Sequence, residues 1–394
     1  MMMPVRHLLG KTIFLSFFLL LSLWVSQTRA QVTPLSPDQA PELQDDLNLQ
    51  GLETVLTQNL RYLQRRPAGS QLMVAGTPVP VQRLINSTSF LLQRMEDGMS
   101  VGALRQTLQT HYEILQIDTG KISQNGQRRM LITGYYQPLF AGSLIRTPPY
   151  VYPVYKLPAD LVARPAKQGQ RSSLVGRMEK GQLIPYWSRR EIEQGNLLQG
   201  QELIWLADPF DVFVLHVQGS GIIKLPDGSR RGVHYAQSNG REYKSVGKYL
   251  VDTGRMQLAD VTMDSIRQYI AQHPAEREQI LYQNDAFIFF EWSKPGPAIG
   301  NLGHALTPGR SIAADQRWYP PGGLAYLSTR KPVVANGQIT GWSPMQRIVC
   351  VQDTGSGLVG PGRADVFWGT GDAAGTAAGQ MKEDGSLYLL LLKE

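Results

Sequence analysis

A mainly β protein with a helical N-terminal section is what this chain predicts, and three observations carry the prediction. Its 39 Gly and 25 Pro in 394 residues imply many turns, hence many short strands. From about residue 120 onward, apolar runs are short and broken by Gly or Pro. Before that point apolar residues recur at helical spacing. The length exceeds one ordinary domain, so two are expected.

The elements follow in chain order. Residues 1–30 read as an export signal: Arg6 and Lys11 precede an apolar run over Ile13–Val25, and Ser26–Ala30 offers a small residue for cleavage. That run is shorter than the roughly 20 residues of a membrane span, and no Cys stands near the cleavage point to carry a lipid. Residues 31–50 are Pro- and Asp-rich. Leu52, Leu56, Leu60, Leu63, Leu84, Phe90, Leu91, Val101, Leu104, Leu108 and Leu115 predict helices from 52 to 115, with Ser100 as an N-cap. Short strands are then expected around 129–136, 209–217 and 286–290, with a helical interlude over 245–272. The C-terminal 95 residues return to short strands and close on Leu387–Leu392.

Composition excludes several classes. The chain carries a formal +7. Without the first 30 residues, 36 basic residues face 32 acidic ones, about +4, with no Lys/Arg run. Nucleic-acid binding is not expected, while a weakly basic exported protein suits an anionic envelope polymer. The single Cys350 lies in an apolar stretch and reads as a buried strand residue. The six histidines, at 7, 111, 216, 234, 273 and 304, show no metal spacing. No metal and no cofactor are expected.

Asp-Thr-Gly occurs at Asp118–Gly120, Asp252–Gly254 and Asp353–Gly355. A proteolytic carboxylate pair would need equivalent loops in two related halves, and these surroundings are unrelated. Asp118 and Asp252 read as turn residues, the first after a helix and the second within one. Asp353 follows a strand and opens a glycine-rich stretch containing Asp365 and Asp372.

That stretch, Gln352–Gly375, resembles the three-aspartate barrel domain of the membrane-bound lytic murein transglycosylase A family. Five further blocks agree, at residues 133–138, 186–192, 217–221, 239–245 and 305–311. The resemblance runs from about residue 130 to the end and more loosely back to 50. It implies a six-stranded double-psi β-barrel built from 296–394 with the helical part 31–131. A second, inserted β-barrel would span 132–295, leaving a groove between the two domains for the ligand. It also implies cleavage of the N-acetylmuramic acid to N-acetylglucosamine bond of peptidoglycan, with the muramic C6 hydroxyl attacking C1 to leave a 1,6-anhydro end. Asp365 would then be general acid and afterwards base. Asp353 and Asp372 would support it, Asp353 by orienting the loop and Asp372 as a helix N-cap.

Strand alternation places Arg363, Asp365 and Phe367 on one face and Ala364, Val366 and Trp368 on the other. Arg363 would lower the pKa of Asp365 if close, whereas apolar neighbours would raise it. Tyr135, Tyr136, Tyr186, Trp187 and Trp368 are candidates for stacking on sugar faces. Gln218 and Ser220, in a turn after an apolar strand, could meet N-acetyl groups, and Arg310 a substrate carboxylate. The partner expected is peptidoglycan glycan, with association with cell-wall synthesis proteins a further class, and the protein is expected as a monomer in the periplasm or cell envelope. A non-catalytic wall-binding module and a true hydrolase stay open as alternatives.

Overall fold

The computed structural model describes residues 32–121, 129–164 and 174–394, so the leader expected over 1–30 lies outside the described residues. Helices Leu52–Gln64, Val81–Glu96 and Val101–His111 come first. Each buries one stripe, such as Leu52, Val55, Leu56, Asn59 and Leu63 on the first, the spacing of an amphipathic helix. Ser100 does cap the third, its hydroxyl accepting the Ala103 N–H at 3.2 Å.

The helical pattern ends sooner than the leucine spacing predicts. Tyr112–Ile117 is a strand, pairing antiparallel with Lys382–Leu392. Leu115 continued the helical count, but tertiary pairing overrides that signal. Asp118 therefore follows a strand, not a helix.

Six strands close into a barrel: Lys382–Leu392, Leu324–Ala335, Gln338–Asp353, Ser311–Ala314, Arg363–Thr370 and Met130–Gln137, the last pairing back to the first. Two contacts are parallel, Ser311–Ala314 with Gln338–Asp353 and Arg363–Thr370 with Met130–Gln137. The long strands are covered on both faces over part of their length. Ala325, Leu327, Val349, Val351, Leu387 and Leu389 fill the barrel. Their neighbours Leu324, Tyr326, Ile348, Cys350, Tyr388 and Leu390 pack under the N-terminal helices. Such strands read as continuous apolar runs rather than as alternating ones.

Between Gln137 and Ser311 the chain builds a second six-stranded sheet. Its order is Ile288–Ser293, Arg230–Ser238, Ser220–Lys224, Leu139–Ser143, Glu202–Leu206 and Tyr152–Tyr155. The two edge strands meet at one bridge, Lys156 to Phe290, so the sheet curls almost into a ring. Pro209–Gln218, expected as a strand, is a helix. Its Phe and Val residues suit strands, but it is apolar all round because it is buried. Its ends carry helix signals: Asp208 accepts the Phe210 N–H at 2.8 Å, Pro209 stands in the first turn, and Gly219 closes it at φ 75°. The expected interlude over 245–272 is two helices, Val246–Asp252 and Met263–Gln272, divided after Gly254 at φ 70°.

Arg310 is a correction. It is fully buried, not at a ligand surface. Its Nη1 and Nη2 donate to the two Asp45 carboxylate oxygens at 2.6 and 2.8 Å, its Nε to Gln50 O at 2.9 Å, and Nη1 also to Ile348 O at 2.9 Å. Asp45 further accepts the N–H groups of Leu47 and Leu49. The network clips the segment before the first helix onto the barrel. Removing one member strands a buried charge, so Arg310→Leu should lose about 3–5 kcal/mol of stability, read as a lowered melting temperature and denaturation midpoint. A midpoint unchanged within about 0.5 kcal/mol would show that the pair is not desolvated.

Candidate active site

Two acids face one another across a single small residue. In the strand register Ala313 pairs with Asp353 on one side and with Asp365 on the other, and Asp365 pairs in turn with Thr133. Directly paired residues in neighbouring strands share a face, so Asp353, Ala313, Asp365 and Thr133 form one row. Ala364 and Val366, on either side of Asp365, point into the barrel and are wholly buried. Alternation then turns Asp365 outward, where its side chain keeps 18% of its exposure.

The two carboxyls are held differently. Asp353 Oδ1 accepts the backbone N–H of Asn301 at 3.0 Å and of Thr354 at 2.9 Å, and Oδ2 accepts the Tyr135 hydroxyl at 3.0 Å. Both its oxygens are committed. At Asp365, Oδ1 accepts the Thr133 hydroxyl and, at 3.3 Å, the Arg363 Nε. Among the described residues Oδ2 has no hydrogen-bond partner, which leaves it free to hand a proton to a bound group.

Burial and hydrogen bonding oppose each other here. Burial raises Asp365 above the usual carboxyl range, and the Arg363 guanidinium and the Thr133 hydroxyl do not fully offset it. Asp353 is pushed up to about 6, chiefly by burial, with the Asp365 charge adding to it against its three donors. The Tyr135 phenol, buried beside both acids, is raised well above its ordinary value. Two interacting acids titrate as a pair, and this one keeps a proton to higher pH than a free aspartate does.

The other sequence candidates fall elsewhere. Tyr135 is in the site, but its ring packs on Phe367 with centroids 5.3 Å apart and its hydroxyl serves Asp353. Tyr136 faces the opposite way, against Gly375 of the helix Asp372–Gln380. Gln218 accepts the Tyr136 N–H at 3.0 Å, tying the helix Pro209–Gln218 to the barrel strand Met130–Gln137. Ser220 is buried at the start of its strand, opposite His234. Tyr186 is a correction: it has no exposed surface, donates to Asp160 at 2.8 Å and packs edge-on to Phe289. Trp187 carries the Arg177 guanidinium 3.5 Å from its ring centre. Trp368 lies with the core face, against Gly134 and Met381, and presents no open platform beside Asp365. Asp372 is exposed in the first helical turn while Gly371 holds the cap position, without a side-chain cap bond. It does not join the carboxyl pair. His216, expected in a strand, is buried on the helix Pro209–Gln218, with Nδ1 2.9 Å from Arg189.

Sequence reasoning passed over Thr133 and Asn301, and it left open whether Arg363 is close to Asp365, which it is at 3.3 Å. Thr133 stood in the 133–138 block, and its pairing with Asp365 is what that block provides. Asn301 acts through its backbone, which no side-chain pattern reveals.

The site is thus a closed barrel bearing a protonatable carboxyl on its outer face, with an inserted sheet following the first barrel strand. Comparison with known proteins is specific. Residues 131–291 match the MltA specific insert domain and residues 310–391 the 3D domain. The chain is 31% identical over 273 residues to membrane-bound lytic murein transglycosylase A of Vibrio cholerae, covering 68% of this chain and 67% of that one. The protein of that name from Escherichia coli K12 is 31% identical over 261 residues, and the match spans 64% of its length. Among solved structures, a membrane-bound lytic murein transglycosylase from Agrobacterium tumefaciens superposes with TM-score 0.75 at 26% identity, covering 92% of this chain and 98% of that one. The lytic transglycosylase LtgG of Burkholderia pseudomallei gives 0.53 at 33%, covering 93% and 98%. The chain belongs to the membrane-bound lytic murein transglycosylase A family.

A pH test follows for Asp353. With its pKa at about 6 in the fold against an ordinary value of 3.8, the folded state binds the proton more tightly. Its contribution to stability is therefore complete below pH 3.8 and lost as the pH rises through 6. Asp353→Asn should cancel that dependence, so the stability difference between wild type and variant should shift in the variant's favour by about 2–3 kcal/mol from about pH 3.5 to about pH 7. Denaturant unfolding at the two pH values checks it, and a difference independent of pH would show that Asp353 is not desolvated.

Proposed function

We propose that the protein is a lytic transglycosylase that cleaves the bond between N-acetylmuramic acid and N-acetylglucosamine in peptidoglycan. The observation that carries the reading is Asp365, raised by burial, anchored through one oxygen and open at the other. The names borne by its relatives supply the substrate class.

The chemistry needs one such group. The Oδ2 proton of Asp365 passes to the glycosidic oxygen as its bond to C1 breaks. The muramic O6 then bonds to C1, and its proton returns to the Asp365 carboxylate. No water enters, the product carries a 1,6-anhydro ring, and the acid is regenerated. Ordinary glycosidases use two free carboxylates, the second to act on water or to attack C1. Asp353 is the other carboxyl near Asp365, and both its oxygens are committed to donors. That favours its role as the group that sets the loop and the charge beside Asp365. The glycan would lie between barrel and inserted sheet, over the row of Thr133, Asp365 and Asp353. A place in the cell envelope, as a periplasmic form, belongs to the same reading, and the protein is proposed to act as a monomer.

The test is digestion of purified murein sacculi by residues 31–394 beside Asp365→Asn, with products read by mass spectrometry. Wild type should release 1,6-anhydromuropeptides, and the variant should be slower by about 10²–10⁴-fold. Reducing-end products would make the enzyme a hydrolase, and binding without cleavage would make it a wall-binding module. In wild type the rate should fall as the pH rises through the raised pKa of the acid, because only the protonated form can donate.

A further inference from the structure

A cavity of about 140 Å³ lies within the inserted unit. The edge strand Tyr152–Tyr155, the helix Arg189–Gln194, the start of Pro209–Gln218 and the helix Arg277–Leu281 enclose it. None of its lining residues belongs to the barrel or to the row of Asp353 and Asp365.

Its polar groups are unspent. Tyr155 and Tyr282 line it and each keeps only 8% of its exposure. Among the described residues neither hydroxyl has a hydrogen-bond partner, whereas a buried phenol normally finds one. Burial, with nearby carboxylates adding to it, pushes both up to about 12, so each remains a donor at neutral pH. The half-buried Arg277 guanidinium stands 5.8 Å from the Tyr152 ring centre. Among the described residues it makes no hydrogen bond and no ion pair. Opposite in charge is Glu193, whose Oε1 accepts Arg189 Nη1 at 2.8 Å. Arg189 is fully used, its Nε donating to Asn284 O at 3.1 Å and its Nη2 to Ala286 O at 2.9 Å. Glu193 Oε2 is left without a partner among the described residues, on a side chain that keeps 27% of its exposure. A satisfied network thus fixes one oxygen of Glu193 and leaves the other to the cavity.

Charge and size narrow the ligand. Glu193 and the exposed Glu278 balance Arg189 and Arg277, so a lone cation or anion would upset the sum and a zwitterion would not. A cavity of about 150 Å³ holds benzene, about six heavy atoms. An α-amino acid group bearing a methyl has about that many, and an N-acetylhexosamine has roughly twice as many or more. We propose that the cavity is a second binding site, for an α-amino acid group. Its carboxylate meets the Arg277 guanidinium and the two phenol donors, its ammonium meets Glu193 Oε2, and its side chain lies against Val212 and Leu281. Two sources carry that group, a free amino acid and the peptide of the wall polymer. Only the second rests on the proposed function, and binding at the cavity does not require Asp365.

The experiment is calorimetric titration of residues 31–394 carrying Asp365→Asn, so that no turnover intrudes. The probes are both enantiomers of alanine, N-acetylalanine, alaninamide, N-acetylglucosamine and a murein stem peptide ending in diaminopimelate. One alanine enantiomer should bind, and N-acetylalanine and alaninamide should each bind about tenfold more weakly or worse, each having lost one charge-assisted contact. Arg277→Leu should weaken alanine about tenfold or more and leave alaninamide unchanged. Tyr155→Phe with Tyr282→Phe, which keeps both rings, should weaken alanine severalfold without lowering the melting temperature. Arg277→Gln replaces the Leu variant if that does not fold. A stem peptide bound about tenfold tighter than alanine assigns the site to the wall peptide, and equal binding assigns it to free amino acid. Heat only from N-acetylglucosamine would make the cavity a sugar site, and no heat from any probe at millimolar concentration would make it a hydrated cleft. Either result, or an Arg277→Leu loss that falls equally on alaninamide, overturns the proposal. Because digestion of sacculi tests Asp365 separately, failure of one reading leaves the other standing.

Discussion

Everything at the candidate site depends on how close a short strand can bring two acids without letting water between them. Ser311–Ala314 is entirely buried and hydrogen-bonded on one side to the Asp353 strand and on the other to the Asp365 strand. Neighbouring strands stand about 4.8 Å apart, so two carboxyls one strand removed from each other sense each other's charge. A bulky residue at 313 would project into that row, and the methyl of Ala313 does not. Burial raises both acids, and at Asp353 the neighbouring Asp365 charge adds to it.

The row would be useless if that strand could slide. Its N-terminal neighbour Arg310 holds Asp45 and Gln50 on one side and Ile348 O on the other. Ser311 adds a bond from its hydroxyl to Gln352 Oε1 at 2.7 Å. Gln352 is next to Asp353. The buried ion pair and the row of Asp353, Ala313 and Asp365 are thus adjacent parts of one framework, the first fixing the register on which the second depends. A buried charge pair contributes little net stability by itself, so its value here is in the single alignment it permits.

Much of this was legible in the sequence. The Gly and Pro content and the broken apolar runs gave the β class, and strand alternation correctly set Asp365 apart from Ala364 and Val366. The resemblance of residues 352–375 led to the barrel, which composition could not. What failed did so for physical reasons. Val and Phe at 209–217 favour strands locally, and only the caps at Asp208 and Gly219 betray the helix. Tyr186, Trp368 and Arg310 are residue types that suit sugar sites and buried networks equally well, and only coordinates tell the two apart. Asn301 contributes a backbone N–H, which leaves no trace in a side-chain pattern.

The ring closure has a bearing on how the chain acquires its shape. The strand Met130–Gln137 finds its partners only at Arg363–Thr370 and Lys382–Leu392, more than two hundred residues onward. The inserted sheet, by contrast, pairs wholly within residues 139–293. Distant pairings form slowly because a long loop must close first. During synthesis the inserted sheet can gather while the barrel stays open. Thr133 and Asp365 can meet only after Arg363–Thr370 has emerged, and the ring closes only with Lys382–Leu392, so a chain cut short before Lys382 would have the parts of the site but no closed barrel to hold them.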